Sequence, residues 1–204
     1  SGLYGLLVEA LLEFERRGLV FSHFMSIDYD TLFIKPGADL EILNAVREPK
    51  VGLIGCYGMV NQHWAARFMS ERNTLSAHLG GIPRAYVPGE GVQGGGFVLT
   101  RTGIEGLRRR GFLREPWSRP AAITQIADDH LIPLLVKAAG LEIGDLPRSK
   151  FRFLWRLDED PAAFVNSSIM AFHPTKIRPE MKDRSTELRV RNVYRALRGR
   201  EPMR

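Results

Sequence analysis

Residues 19–30 read LVFSHFMSIDYD, a mostly apolar run that ends in two aspartates separated by one tyrosine. The residues 19–27 are typical of a strand within a sheet that is covered on both faces. Carboxylates at the carboxyl end of such a strand must be paired, hydrogen-bonded or bound to a metal. Because Asp28 and Asp30 are spaced at i and i+2, both can face one side and offer hard oxygen ligands to a divalent cation. The stretch therefore predicts a sheet with a metal site at one edge, although a turn cap at Asp30 and an arginine partner for Asp28 would also explain these acids.

Strands and helices alternate on both sides of this stretch. A helix is predicted over 3–14 from apolar residues at helical spacing, and Gly18 is expected to end it. After an extended segment at 31–34, we expect further helices over 39–46, 102–110, 130–139 and 187–198, and further strands over 51–56, 97–99, 151–155 and 168–172. Strands that alternate with helices predict an α/β fold.

Helix caps and loops complete this assignment of elements. Thr102 with Glu105 three residues later predicts a capping box at the start of a helix. Asp128 or Asp129 is expected to cap the helix over 130–139. The stretch 57–92 lacks a clear period and is expected to be irregular.

The composition is that of an ordinary globular protein. The chain has 204 residues, of which 44% are hydrophobic and 25% charged, with 20 glycines, 12 prolines and a single cysteine, Cys56. These proportions exclude a disordered chain, a collagen-like repeat and a disulfide scaffold. No apolar run approaches the roughly 20 residues that a membrane-spanning helix needs. The many arginines and the single cysteine predict a cytoplasmic location.

The positive charge is concentrated near the C-terminus. Residues 181–204 contain eight basic and three acidic residues, which gives +5 of the formal net charge of +6. Because the remainder is almost neutral, the sequence argues against a nucleic-acid-binding face. The basic segment is expected to be a solvated helix, and peripheral contact with anionic lipid or another polyanion is the alternative.

Three motifs lie in order within the first 145 residues. The first motif, at 24–33, joins an apolar strand to the two aspartates. The second consists of YVP at 86–88 and the glycine-rich strand QGGGFVLT at 93–100. The third is ADDH at 127–130. Together they resemble GT-A-fold glycosyltransferases, in particular the β-1,3-galactosyltransferase and fringe-like group. The resemblance implies a GT-A-like, Rossmann-related mixed sheet flanked by helices. It also implies the transfer of a sugar from a nucleotide-diphosphate donor to a saccharide or another hydroxyl acceptor.

The resemblance points to Asp129, the second acid of the ADDH motif, as the general base of an inverting reaction. A carboxylate can remove the proton of an acceptor hydroxyl that lies within hydrogen-bond reach. The group usually has Glu where this chain has Asp128, so Asp128 is the alternative base. From the residue type alone, Asp129 is also explained as a helix N-cap.

The same resemblance implies ligands for a metal and for the donor. Many GT-A enzymes supply a late histidine to the metal, and His173 resembles that ligand, although a histidine there would also be explained by a backbone hydrogen bond. Two carboxylates and an imidazole suit Mn²⁺ or Mg²⁺, and the nitrogen favours Mn²⁺. Lys176, three residues after His173, is placed to neutralise a departing phosphate, and a solvated lysine is the alternative. The glycines would let the donor, expected to be a uridine-diphosphate sugar, approach the backbone, and a bend of the sheet is the alternative role for Gly94, Gly95 and Gly96.

The resemblance also predicts an organisation into a catalytic domain over 1–180 and a basic C-terminal helix or tail over 181–204. GT-A enzymes place several strand–helix units before the metal-binding strand, whereas one helix precedes it here. The N-terminal part of the nucleotide-binding lobe is therefore expected to be missing. Two other functions remain open: a metal-dependent nucleotidyltransferase, and a non-catalytic module that binds lipid or a polyanion through its basic tail.

Overall fold

The computed structural model describes residues 2–45, 48–153, 161–173 and 184–202. The helices are α1 (Gly2–Arg16), α2 (Ala38–Asn44), α3 (Gln62–Leu79), α4 (Arg101–Arg109), α5 (Asp128–Ala138) and α6 (Arg184–Ala196). The strands are β1 (His23–Ile27), β2 (Leu32–Phe33), β3 (Val51–Val60), β4 (Glu90–Thr100), β5 (Glu142–Asp145), β6 (Phe151–Phe153) and β7 (Ala171–His173). Short 3₁₀ helices cover Pro120–Ala122 and Pro161–Asn166. The predicted α/β class is therefore confirmed.

The larger sheet contains β1, β4, β3 and β5 in that order. β4 is antiparallel to both β1 and β3, whereas β5 is parallel to β3. Side chains alternate between the two faces along a strand, so the facing pair Leu53 and Leu99 lies on one face and the next pair, Ile54 and Val98, on the other. All four are buried, so both faces of this mixed sheet are covered.

Helices cover one face of the larger sheet, and the smaller sheet covers the other. Leu11, Phe68, Leu107 and Leu135, from α1, α3, α4 and α5, pack in one cluster with the first face. On the opposite face, Ile42 of α2 and residues of β6 and β7 pack against the sheet. The larger, mixed sheet is thus flanked by four helices on one face and by α2 with the smaller sheet on the other.

The smaller sheet has β7 at its centre, antiparallel to β2 and parallel to β6. Ala171 packs toward the larger sheet, whereas the next residue, Phe172, packs on the far side with Val190 and Tyr194 of α6. Because alternate residues share a face, His173 lies on the same side as Ala171. The smaller sheet therefore lies between the larger sheet and α6 and directs His173 toward the larger sheet.

The glycine-rich part of β4 departs from regular pairing. The register with β3 shifts between Gly55 and Tyr57, so that residues 93–96 stand opposite the single residue Cys56. Extra residues on one strand of a pair produce a bulge and bend that strand. The glycine run therefore forms a bulge in the sheet, beside the end of β1.

The expectation of an irregular stretch over 57–92 is wrong, because this stretch contains the helix α3. The side chain of Asn61 caps the helix by accepting hydrogen bonds from the backbone N–H groups of His63 and Trp64. Gly80 ends the helix in a left-handed conformation with a φ of 72°. The polar residue before a helix and the glycine after it are the usual boundary signals.

Two of the predicted helix caps are also wrong. The hydroxyl of Thr100, rather than that of Thr102, accepts the hydrogen bond from the Gly103 backbone N–H at the start of α4. The N-cap of α5 is Ala127, and no side chain caps that helix end. The carboxylates of the ADDH motif thus lie inside the first turn of α5 instead of at its cap.

The basic C-terminal segment forms α6, which is packed rather than wholly solvated. Val190 and Tyr194 are buried against the smaller sheet. The boundary expected at residue 180 falls in 174–183, outside the described residues, so this division stays a prediction. Among the helices of the described ranges, none combines the length and apolar character needed to cross a membrane.

Candidate metal centre

The two aspartates flank a turn between β1 and β2. The backbone N–H of Thr31 donates to the carbonyl of Asp28 at 3.0 Å, which closes the turn. The loop is also fastened to the glycine bulge, because the Asp28 N–H donates to the Gly95 carbonyl at 3.2 Å and the Thr31 hydroxyl donates to the same oxygen. Both ends of the Asp28–Tyr29–Asp30 turn are therefore positioned by Gly95.

His173 completes a group of three metal-ligating side chains. Its Nε2 lies 3.1 Å from Oδ1 of Asp30 and 3.3 Å from Oδ2 of Asp28. One ligand atom from each residue lies within 4.8 Å of the other two. Two ligands at right angles around an ion with bonds of about 2.1 Å lie roughly 3 Å apart, so these separations fit neighbouring positions of an octahedral ion.

Burial differs among the three side chains. Asp30 and His173 are buried, whereas the side chain of Asp28 is 47% exposed. The two buried side chains face each other, and the exposed one leaves the group accessible from solvent. A hard cation with two carboxylates and one imidazole would complete its shell with water or with oxygen atoms of a substrate. The residues present therefore fit a Mn²⁺ or Mg²⁺ ion.

The glycine bulge provides the space for His173. A Cβ atom at Gly95 would lie 2.4 Å from the Cβ of His173, and the φ of Gly95 is +105°. A Cβ at Gly96 would lie 3.1 Å from the carbonyl oxygen of Ser26. Gly95 thus supports the candidate metal centre directly, and Gly96 allows close pairing with β1. A donor-binding role for Gly94 stays a prediction.

Asp128 makes structural hydrogen bonds at one end of α1. Its carboxylate accepts hydrogen bonds from the backbone N–H groups of Leu3, at 3.3 Å, and Tyr4, at 3.0 Å. The first N–H groups of a helix have no partner within the helix, so Asp128 caps α1 from a distant part of the chain. This role competes with proton abstraction by Asp128 and favours Asp129 as the base.

Asp129 follows on α5 with a more accessible carboxyl group. Its side chain is 41% exposed, and one of its oxygens lies 3.8 Å from Nε2 of His130. Desolvation raises the pKa of Asp129; the neighbouring His130 lowers it, and the charges of Asp128 and Asp28 raise it further.

The structure thus brings Asp28, Asp30 and His173 together, whereas Asp128 and Asp129 lie in the first turn of α5. Lys176 lies outside the described residues. Sequence reasoning missed Arg191, whose Nη2 donates to the carbonyl oxygen of Tyr29 at 3.0 Å. No short-range pattern signals this contact, because the two residues are 162 positions apart.

No protein-family profile matches the sequence, and no curated protein shows significant similarity to it. The likeness to the GT-A group therefore depends on the three motifs.

Proposed function

We propose that this chain is the metal-binding and base-carrying part of a glycosyltransferase with a GT-A-like fold. The enzyme would transfer a sugar from a nucleotide-diphosphate donor, in our proposal a uridine-diphosphate sugar, to the hydroxyl of a saccharide or a similar acceptor, with inversion. The observation that carries the proposal is the convergence of Asp28 and Asp30 with His173, 143 residues or more along the chain, beside the glycine bulge. We further propose a cytoplasmic location, with peripheral membrane contact through the basic segment.

The proposed reaction needs charge stabilisation at the leaving group. Mn²⁺ or Mg²⁺ bound by Asp28, Asp30 and His173 would supply a Lewis acid for the diphosphate. Asp28 is the exposed member of the group, so an ion held by these three side chains would be accessible to a donor from solvent. The glycine bulge lies against His173, so a donor at this centre would approach the main chain of β4.

Asp129 is the proposed general base. Its raised pKa makes the ionised carboxylate a stronger base than an ordinary aspartate, which favours removal of a proton from an acceptor hydroxyl. Half-exposure of its side chain leaves room for an acceptor. Asp128 caps α1 and has a positioning role in this proposal.

Replacement of a buried ligand tests the metal centre. We expect Asp30→Asn to weaken Mn²⁺ binding at least about 10-fold and to abolish Mn²⁺-dependent consumption of uridine-diphosphate sugars, because one anionic ligand is lost while the shape is kept. Binding is measured by the electron paramagnetic resonance signal of free Mn²⁺, and turnover by release of uridine diphosphate. Asp39→Asn, an exposed acid of α2, is the matched control and should leave both unchanged.

The products distinguish the remaining functions. Release of uridine diphosphate and sugar supports a glycosyltransferase, whereas formation or consumption of pyrophosphate would favour a nucleotidyltransferase. Mn²⁺ binding without turnover of any donor would indicate a non-catalytic module. Full activity of Asp30→Asn would contradict the metal assignment.

A further inference from the structure

The helix α6 packs against β7, which ends in His173, and against β2, which follows Asp30. Its buried residues Val190 and Tyr194 pack in one cluster with Phe172 of β7 and Leu32 of β2. The rings of Phe172 and Tyr194 have centroids 5.8 Å apart. Phe172 immediately precedes His173, and Leu32 is two residues after Asp30, so the apolar face of α6 stabilises the segments that carry two of the three ligands.

A hydrogen bond from α6 also reaches the turn that contains Asp28 and Asp30. Nη2 of Arg191 donates to the carbonyl oxygen of Tyr29 at 3.0 Å, and Tyr29 lies between Asp28 and Asp30 in the chain. The side chain of Tyr29 is 78% exposed. Hydrogen bonds of the main chain, to the Gly95 carbonyl on one side and to Arg191 on the other, therefore help to hold this turn.

We infer that Arg191 is a positioning residue of the metal centre, and this inference depends on the metal site of the proposed function. A guanidinium bonded to the Tyr29 carbonyl fixes the peptide plane between the two acids, and a charge-assisted hydrogen bond of this kind is stronger than a neutral one. That carbonyl belongs to the peptide that joins Tyr29 to Asp30, so its orientation constrains the backbone at Asp30 and, through the turn, the directions of both carboxylates. Arg191 thus acts on the metal through its two ligands, without binding it.

The sign of the effect separates positioning from simple electrostatics. A guanidinium near the site repels a dication, so loss of its charge alone would tighten metal binding. Loss of the hydrogen bond would instead let the Asp28–Tyr29–Asp30 turn reorient and would weaken binding. Partners outside the ligand shell typically contribute 10-fold to 100-fold to metal affinity through such orientation.

The test measures Mn²⁺ affinity of the full chain by electron paramagnetic resonance, together with the midpoint of thermal unfolding. We expect Arg191→Ala to weaken Mn²⁺ binding about 10-fold. Arg191→Lys keeps the charge and one donor and should recover part of the affinity. Arg198→Ala is the matched control, because Arg198 also belongs to the basic segment and donates to a main-chain carbonyl, that of Phe33, further from the ligands. It should change Mn²⁺ affinity less than about twofold.

Three results would overturn the inference. Tighter or unchanged Mn²⁺ binding by Arg191→Ala, while the wild-type chain binds Mn²⁺, would exclude positioning and leave the metal centre intact. An equal loss in Arg198→Ala would show that general docking of the basic segment, rather than Arg191, controls the site. Absence of Mn²⁺ binding by the wild-type chain would overturn the metal centre itself together with this inference.

Discussion

Gly95 shows how one residue connects the glycine-rich strand to the candidate metal centre. Its carbonyl oxygen accepts hydrogen bonds from Asp28 and Thr31, and its Cα faces the His173 side chain. The positive φ of +105° is one that residues with a Cβ rarely adopt. The same glycine therefore positions the two acids through its carbonyl and makes room for the imidazole through its missing side chain.

Gly95→Ala should lower the stability of the chain and its Mn²⁺ affinity by more than a positive φ alone would cause. Gly140→Ala is the control, since Gly140 has a φ of +76° but no atom within 4 Å of the position of a Cβ. We expect Gly95→Ala to cost at least about 1 kcal/mol more in the free energy of unfolding, because its methyl group overlaps His173. It should also weaken Mn²⁺ binding, whereas Gly140→Ala should not. Equal effects of the two variants in denaturant titrations and Mn²⁺ titrations would contradict this account.

Asp129 offers a second prediction, on pH dependence. An acid in the first turn of a helix is normally stabilised when ionised, but desolvation raises the pKa of this carboxyl group in the folded chain. Above the pKa that Asp129 has in the folded chain, the carboxylate is ionised in a desolvated position, which lowers the free energy of unfolding. This cost disappears below about pH 3.9, the usual pKa of an aspartate in an unfolded chain, because the carboxyl group is then protonated in both states. Asp129→Asn should therefore be more stable than wild type at pH 7.5.

The gain in stability of Asp129→Asn should fall as the pH is lowered toward the unfolded pKa. The measurement is the free energy of unfolding in urea at pH 7.5 and near pH 4. The control is Asp39→Asn, which changes an exposed acid of α2 and should not gain stability at pH 7.5. A gain for Asp129→Asn that is equal at both pH values would mean that the carboxyl group is not desolvated.

At the scale of elements, strongly apolar segments were predictable from the sequence. The runs at 51–56 and 97–99 appear inside β3 and β4, and the helix predicted over 130–139 corresponds to α5. The two strands are buried on both faces, and the helix is buried along one broad side. Both kinds of element therefore show as runs or repeats of apolar residues in the sequence. The sequence therefore predicted the centre of the fold well.

α3 was missed because its sequence is mostly polar. Of its 18 residues, only Phe68, Leu75 and Leu79 are buried. A surface helix with a narrow contact shows little alternation between apolar and polar residues at helical spacing. The remaining signals for α3 in the sequence are its boundary residues, Asn61 and Gly80. β5 was missed for a related reason, since it has four residues and is only partly buried.

The site was predictable to the extent that its chemistry is local. Asp28 and Asp30 follow directly from carboxylates at the end of an apolar strand, whereas His173 entered only through the family resemblance. Arg191 could not be predicted, because its contact with the Tyr29 carbonyl depends on how α6 packs against the smaller sheet. Residues that act through tertiary packing carry no signal in their spacing.

At the scale of the whole molecule, a buried polar cluster joins the larger sheet to α5. Nζ of Lys137 lies 2.6 Å from Oε1 of Glu90 and 2.8 Å from the hydroxyl of Tyr57, and that hydroxyl donates to the other oxygen of Glu90. Burial, with the nearby Glu90, raises the pKa of Tyr57 and keeps it protonated. Because Lys137 lies on α5, Tyr57 on β3 and Glu90 on β4, this cluster fixes α5 relative to both strands. The other end of α5 carries Asp129.

Lys137→Met should therefore destabilise the molecule strongly. The side chains of Lys137 and Glu90 are 12% and 4% exposed, so the variant leaves a carboxylate buried without its cation, at a cost of about 3 to 5 kcal/mol. Glu90→Gln added to Lys137→Met should recover a large part of that loss, because it removes the uncompensated charge. Lys150→Met is the control: Lys150 pairs with Glu41, the side chains are 38% and 31% exposed, and its loss should cost about 1 kcal/mol or less. Denaturant titrations of the three variants and wild type measure these differences. Similar losses for Lys137→Met and Lys150→Met would show that the Glu90 cluster does not stabilise the fold.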